Sequence, residues 1–285
     1  MPINPDAAGA MTGPFDSGWS QDDTMLYALS VGAGMDDPLG AELAFVTENT
    51  AGVELVALPT MAMVLGGVLS APSPMKQIGP YDPKMSVHGS VEVTLHRPLP
   101  PAGEVSSTVT VASINDKKSG ALVELQVDAT DPTGGPMFTV RNGIFIRGEG
   151  GWGGDPGPTW RVPNLDEREP DHVVPQTIRP DQTLIYRLNG DRNPLHSDPS
   201  VARAAGFDRP ILHGSCTVGF VGRALVHAIC DDDPSRVQGF GCRFASPTMP
   251  GDTINTMIWR TGDGAHFATY VGDRAVLSAG YIACR

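Results

Sequence analysis

With 285 residues the chain can bury one large core or two fused ones. Its 20 Lys and Arg against 32 Asp and Glu leave a net charge of −12 with no basic cluster, which argues against nucleic-acid binding. No window is apolar enough to span a membrane, the start MPINPDAAGA lacks the basic and apolar regions of a signal peptide, and Cys216, Cys230, Cys242 and Cys284 show neither a CxxC nor a zinc spacing, so a cytoplasmic protein with buried, reduced thiols is expected.

A first helix is expected over 16–33, where Ser20 and Asp23 make a capping-box start and Met25, Leu26 and Leu29 supply an apolar face. Leu58-Pro59-Thr60 leads into a short apolar helix, 61–65, which Gly66-Gly67 weakens and Pro72 and Pro74 end. Alternating apolar residues predict strands over 87–95, 105–111, 123–127 and 138–146, with Asp131-Pro132-Thr133-Gly134-Gly135 as a turn. The stretch 148–180, rich in Gly and Pro and carrying Trp152 and Trp160, is too long for a hairpin and reads as a surface crossover linker. Beyond it, a longer helix is expected over 215–229, with Val218, Val221, Leu225 and Ile229 on one face and Gly219 and Gly222 allowing close approach to a sheet. Strands over 237–244, 253–259, 265–271 and 276–283 follow.

The two halves echo each other. Leu26-Tyr27-Ala28-Leu29-Ser30 mirrors Ile185-Tyr186-Arg187-Leu188-Asn189 one for one, and in that register Gly32 stands where Asp191 stands in the second half. The pattern suggests a duplication whose first copy lacks an acidic residue that the second retains.

That acidic residue opens the most informative stretch, GDRNPLHSD, in which Asp191, Asn193 and His196 project from one short loop stiffened by Pro194. Asp198-Pro199 reads as an N-cap and first turn, Gly206 as a helix stop, and His213-Gly214 immediately precedes the long apolar run, so the Gly214 amide would lie at the positive end of a helix. Residues 190–198, followed by Gly206-Phe207 and Pro210-Ile211-Leu212-His213-Gly214, resemble the MaoC-like dehydratases, and within them the (R)-specific type 2 enoyl-CoA hydratases and 3-hydroxyacyl-thioester dehydratases.

The resemblance implies an α+β double hot-dog fold, in which an antiparallel sheet wraps a long helix. It divides the chain into a non-catalytic, acyl-binding repeat at 1–147, a linker at 148–180 and a catalytic repeat at 181–285. It further implies Asp191 and His196 as a catalytic dyad, Asn193 as its support, the Gly214 amide as oxyanion donor, a CoA-thioester substrate, no metal or other cofactor, and a homodimer. The reaction fits these residues: water adds to C3 of an enoyl thioester as it loses a proton, C2 gains one, and negative charge passes through the thioester oxygen. Which of Asp191 and His196 is acid or base stays open. His213 can orient the loop, and Tyr186 can pack or hydrogen-bond near the dyad. Glu48 matches an acidic position of two-repeat members and can shape the pocket or stand in an exposed turn. Met61 and Val64 are candidates for an acyl channel opened by the short first-half helix, and Arg97 for a CoA phosphate. A metal held by Asp191, His196 and His213, a hot-dog thioesterase and a non-catalytic acyl-CoA-binding subunit are the alternatives.

Overall fold

A computed structural model describes residues 3–69, 73–160 and 168–285. Pro72, expected to end the short first-half helix, and 161–167 of the expected linker lie outside the described residues.

In chain order, the first half contains β1 (Met11–Trp19), α1 (Gln21–Ser30), α2 (Leu43–Val46), a 3-10 turn (Pro59–Met63), β2 (Ser86–Leu95), β3 (Gly103–Asp116), β4 (Gly120–Thr130) and β5 (Pro136–Arg147). The second contains β6 (His172–Thr177), α3 (Gln182–Tyr186), a 3-10 turn (Pro194–His196), α4 (Pro199–Ala204), α5 (Gly214–Ile229), β7 (Val237–Phe244), β8 (Thr253–Thr261), β9 (Gly264–Val271) and β10 (Arg274–Cys284). All ten strands form one sheet, ordered β1-β3-β4-β5-β2-β7-β10-β9-β8-β6. Read outward from its centre, each half repeats the same strand sequence. The seam is the antiparallel pair β2–β7, in register from Ser90↔Arg243 to Thr94↔Gly239.

The eight strands expected from alternation are present, each with its apolar set turned to the core. Two strands were not legible. β1 occupies 11–19, so the helix expected from residue 16 starts only at Gln21; the Ser20 capping box fixes that boundary, with Asp23 N–H donating to Ser20 Oγ and the Asp23 carboxylate accepting from Ser20 N–H. β6 lies inside the expected linker. Both are edge strands, and both carry a proline, Pro14 and Pro175, which a central strand would not tolerate.

α5 is the axis of the main core. Phe220, Val221 and Leu225 are buried among residues of both halves, each contributing about 1.5–3 kcal/mol by leaving water. Gly219 and Gly222 serve a different contact from the one expected. A Cβ on Gly219 would sit 2.3 Å from Val31 Cγ1, and one on Gly222 2.4 Å from Thr60 Cγ2. The glycines therefore let α5 press against the end of α1 and the 59–63 turn, not against the sheet. A second cluster, Ile3, Ile78, Val111, Val123 and Ile146, packs at the other end of the first-half strands, on the same face as Val127 and Val140 of the main core.

The echo between halves is physical. Tyr27 and Tyr186 are fully buried with ring centroids 6.4 Å apart. Asn189 Nδ2 donates to Ser30 Oγ at 2.7 Å and to Tyr186 O, while Ser30 Oγ donates to Tyr27 O, the equivalent carbonyl. The matched residues thus meet across a local two-fold.

Candidate active site

The loop after α3 is a chain of small turns. Gly190 adopts φ +114°, which a side chain would resist, and releases the chain from the helix. Asp191 Oδ1 then accepts from Asn193 N–H at 3.1 Å, and Asn193 Oδ1 accepts from Leu195 N–H at 3.0 Å, which caps the 3-10 turn begun by Pro194. Asn193 therefore steadies Asp191 through its backbone amide. Its side chain is committed to the turn. Asp198 caps α4 by accepting from Ser200 N–H at 2.7 Å, and Gly206 ends that segment at φ +89°.

These turns deliver His196 to the interior, 8 % exposed. Its Nδ1–H donates to Ile211 O at 2.9 Å, which fixes the tautomer and leaves Nε2 as a free lone pair. His213, 1 % exposed, stacks on it with ring centroids 3.9 Å apart and 29° between planes. His213 Nε2–H donates to the Asp191 backbone carbonyl at 3.3 Å, so the loop that carries the acid is tied to the residue preceding α5. Asp191, His196 and His213 bring one polar side-chain atom each within 4.8 Å of one another.

Burial lowers the His196 pKa from its ordinary value, against the Ile211 hydrogen bond and the Asp191 charge. His213 is pushed down to about 4, by burial first and then by the charge His196 would carry. Both imidazoles are therefore neutral at pH 7 and able to accept a proton.

Gly214 is the first residue of the 16-residue α5, and among the described residues nothing accepts from its amide. That N–H points out at the positive end of the helix dipole. The position excludes a side chain, since a Cβ would lie 2.9 Å from Phe244 Cε1. Phe244 in turn packs on His88 of β2, ring centroids 4.5 Å apart. His88 Nε2 meets Asn142 Oδ1 at 3.0 Å; burial brings its pKa down to about 4, against the Asn142 bond, the Ser90 backbone and the Asp191 charge. The first half thus borders the site through His88. Neither His88 nor Phe244 was singled out as a site residue by any local pattern in the sequence.

Other candidates fall elsewhere. Tyr186 is fully buried behind His213, ring centroids 4.9 Å apart, and supports that ring; burial keeps its phenol far above the ordinary range. Glu48 is exposed in a bend after α2. A first-half acid that does reach across to α5 is the half-buried Glu42, whose carboxylate takes Arg223 Nε at 2.7 Å, Arg223 Nη2 at 2.9 Å, His227 Nε2 at 2.9 Å and Gly34 N–H at 2.7 Å. Arg97 binds Asp131 and Gly135 O, so it anchors the β4–β5 turn and is not free for a phosphate. Met61 is 2 % exposed in the main core, with its sulfur 3.5 Å from Thr24 Oγ1, and forms no open channel wall; Val64 is half-buried at the edge of that core. α5 and the 59–63 turn press together, which closes the space around Met61.

Residues 161–280 match the family model described as MaoC like domain, and 18–148 match MFE-2 hydratase 2 N-terminal domain. Over 276 residues the chain is 42 % identical to 3-hydroxyacyl-thioester dehydratase Y of Mycobacterium tuberculosis, covering 95 % of this chain and 92 % of that protein. The chain belongs to the MaoC-like dehydratase family. It is also 34 % identical to the peroxisomal enoyl-CoA hydratase 2 of Arabidopsis thaliana, over 94 % of this chain and 90 % of that one. Among solved structures, a MaoC-like dehydratase from Phytophthora capsici superposes with a TM-score of 0.87 at 30 % identity, covering 99 % of this chain and 98 % of the other. A Mycobacterium tuberculosis protein described as a double hotdog fold superposes at a TM-score of 0.57 and 15 % identity over 99 % and 98 % of the two chains, a likeness of fold alone. For this MaoC-like chain, the fold is the double hot-dog that the motif implied.

Proposed function

We propose that this enzyme reversibly hydrates a trans-2-enoyl-CoA to the (R)-3-hydroxyacyl-CoA, a hydro-lyase reaction. The observation that carries the reading is convergence. The Asp191 carboxylate lies within 4.8 Å of a ring nitrogen of a neutral, tautomer-fixed His196, and the Gly214 amide opens the adjoining helix.

The chemistry follows from these groups. A water held by Asp191 and His196 loses a proton to the pair as its oxygen bonds to C3. The electrons of the double bond move onto the thioester, and the negative charge on its oxygen is met by the Gly214 N–H at the helix end. The pair then returns a proton to C2 and ends in its starting state. His213, locked to the Asp191 carbonyl, keeps that loop in register with α5. No metal enters this scheme, because the thioester already polarises the double bond, and we assign no cofactor. CoA as carrier, cytoplasmic location and a homodimer are part of the same proposal.

The test is incubation of the purified protein with a panel of enoyl-CoAs. Expected are loss of enoyl absorbance, no release of free thiol and an (R) alcohol on chiral analysis. Thiol release would make it a thioesterase, no change a binding subunit, and an (S) product would overturn the stereochemical assignment. We place the acyl chain at the edge of the main core beside the half-buried Val64, outside the closed space around Met61. Val64→Trp, at the edge of that region, is then expected to lower kcat/KM for long enoyl-CoAs about 10-fold or more, the worth of two buried CH₂ groups, while sparing crotonyl-CoA. Equal loss on every substrate would move the chain elsewhere.

A further inference from the structure

Far from the dyad, α5 ends at a pair of thiols. Cys230 is the C-cap of α5 and fully buried, and Cys284 is the last residue of β10 and half-exposed. Their sulfurs lie 2.7 Å apart although 54 residues separate them in sequence. Two unbonded sulfurs do not rest that close, and the roughly 2.05 Å of a disulfide is less than 1 Å of movement away. The backbone is held on both sides. Cys230 N–H donates to Val226 O at 3.1 Å, and Cys284 N–H donates to Asp263 O at 2.9 Å. Asp231 and Asp232 turn the chain away from α5 at φ +53° and +63°, conformations that only a well-held loop sustains. Arg236, paired with Asp231 and with its Nε donating to Arg285 O at 2.9 Å, holds a positive charge beside the pair. Contact with Cys230, against burial and with the Arg236 charge, lowers the Cys284 pKa, whereas Cys230 is raised by the same contact and by burial. Cys216 and Cys242 are buried, and among the described residues neither hydrogen-bonds to a second thiol.

We propose that Cys230 and Cys284 form a reversible intramolecular disulfide that staples the C-terminal end of α5 to the end of β10 when a low-molecular-weight disulfide such as glutathione disulfide accumulates. The partly exposed Cys284 thiolate attacks one sulfur of the oxidant, breaks its S–S bond and releases one thiolate, leaving a mixed disulfide. Cys230 gives up its proton, attacks the Cys284 sulfur and releases the second. Two protein thiols lose two electrons, one small disulfide gains them, and two small thiols carry away the two protons. Partial exposure and thiolate character make Cys284 the attacking residue and Cys230 the resolving one.

The experiment treats the reduced full-length protein with glutathione disulfide, denatures it in excess alkylating agent and maps peptides without reduction. Expected are two alkylated thiols in place of four, a linked peptide pair containing Cys230 and Cys284, and return to four after dithiothreitol. In Cys230→Ser, which has no resolving thiol, Cys284 is expected to accumulate as the glutathione mixed disulfide. Oxidation is expected to raise the thermal midpoint of the wild type by about 5 °C or more, because the bond closes a long loop in the unfolded chain, and to leave Cys284→Ser unchanged. Four alkylated thiols after oxidation, a wild type that stops at the mixed disulfide, or a crosslink to Cys216 or Cys242 would overturn the pair. A bond that forms without raising the midpoint would overturn the staple.

Discussion

The two halves of this chain share a strand order and a tyrosine-bearing helix, and they differ where chemistry is proposed. In the second half the chain leaves α3 through Gly190 into Asp191, and the 16-residue α5 presents Gly214 beside it. In the first half the matching position is Gly32, and a five-residue 3-10 turn stands in place of the helix. Gly32 does not open onto an empty pocket. A Cβ there would meet Phe220 at 2.5 Å and Arg223 Nη1 at 2.9 Å, both from α5. α5 of the second half fills the space beside Gly32, and the Glu42–Arg223 ion pair holds it there.

The largest expected effect comes from removing what only the second half has. Asp191→Asn and His196→Gln each keep size and are expected to lower turnover about 10²-fold or more, with near-wild-type denaturation midpoints. Steady-state kinetics check this, and full activity in either variant removes it from the dyad.

Glu42→Ala tests what holds the halves together. Arg223 would stay buried without its carboxylate, so unfolding free energy is expected to fall by about 3–5 kcal/mol in chemical denaturation. The side chains are 7 % and 12 % exposed, so little of this is screened by solvent. Burial alone would raise the Glu42 carboxyl. The hydrogen bonds from His227 and Arg223, the Arg223 charge and the Gly34 amide outweigh it and bring the pKa to about 2. A depressed carboxyl stabilises the fold fully above its unfolded pKa of about 4.3, and that contribution is lost as pH falls towards about 2.

Gly32→Asp puts the missing acid back into the first half. Because the site is filled and φ is +82°, the variant is expected to lose about 2–4 kcal/mol and gain no second active site. Restored activity in Gly32→Asp combined with Asp191→Asn would show the halves to be interchangeable after all.

A smaller effect is expected from pH. His196 is lowered from its ordinary value, and His213 and His88 to about 4, by burial. The unfolded chain therefore binds more protons, and stability is fully present above about 6.5 and falls as pH drops towards about 4. The thermal midpoint is expected to fall by a few degrees over that range, and His213→Gln to flatten the slope. A slope unchanged in the variant would place the effect elsewhere.

The contrast between halves also explains what could be read beforehand. Interior strands alternate because one face is buried, so eight were visible; β1 and β6 border the sheet, tolerate Pro14 and Pro175 and lose the pattern. Asp191 and His196 lie in one short stretch whose turn chemistry is local, so their approach was legible. Glu42 pairs with Arg223 and His88 packs on Phe244, each across the two halves of the chain, which no local pattern encodes. The surroundings of Arg97 and Met61 were not legible for a related reason. A turn anchor and a core sulfur look, in sequence, like any other cation or flexible apolar side chain.

The β2–β7 seam has one further consequence. Two separate hot-dog chains would meet through such an edge with a dissociation constant, and dilution would part them. Here the two edges belong to one polypeptide, so this seam forms in a unimolecular step at an effective concentration set by the connecting chain. His88 stands opposite Asp191 however scarce the protein is. Neither edge needs to match a copy of itself, so each half is free to drift in sequence without losing its partner.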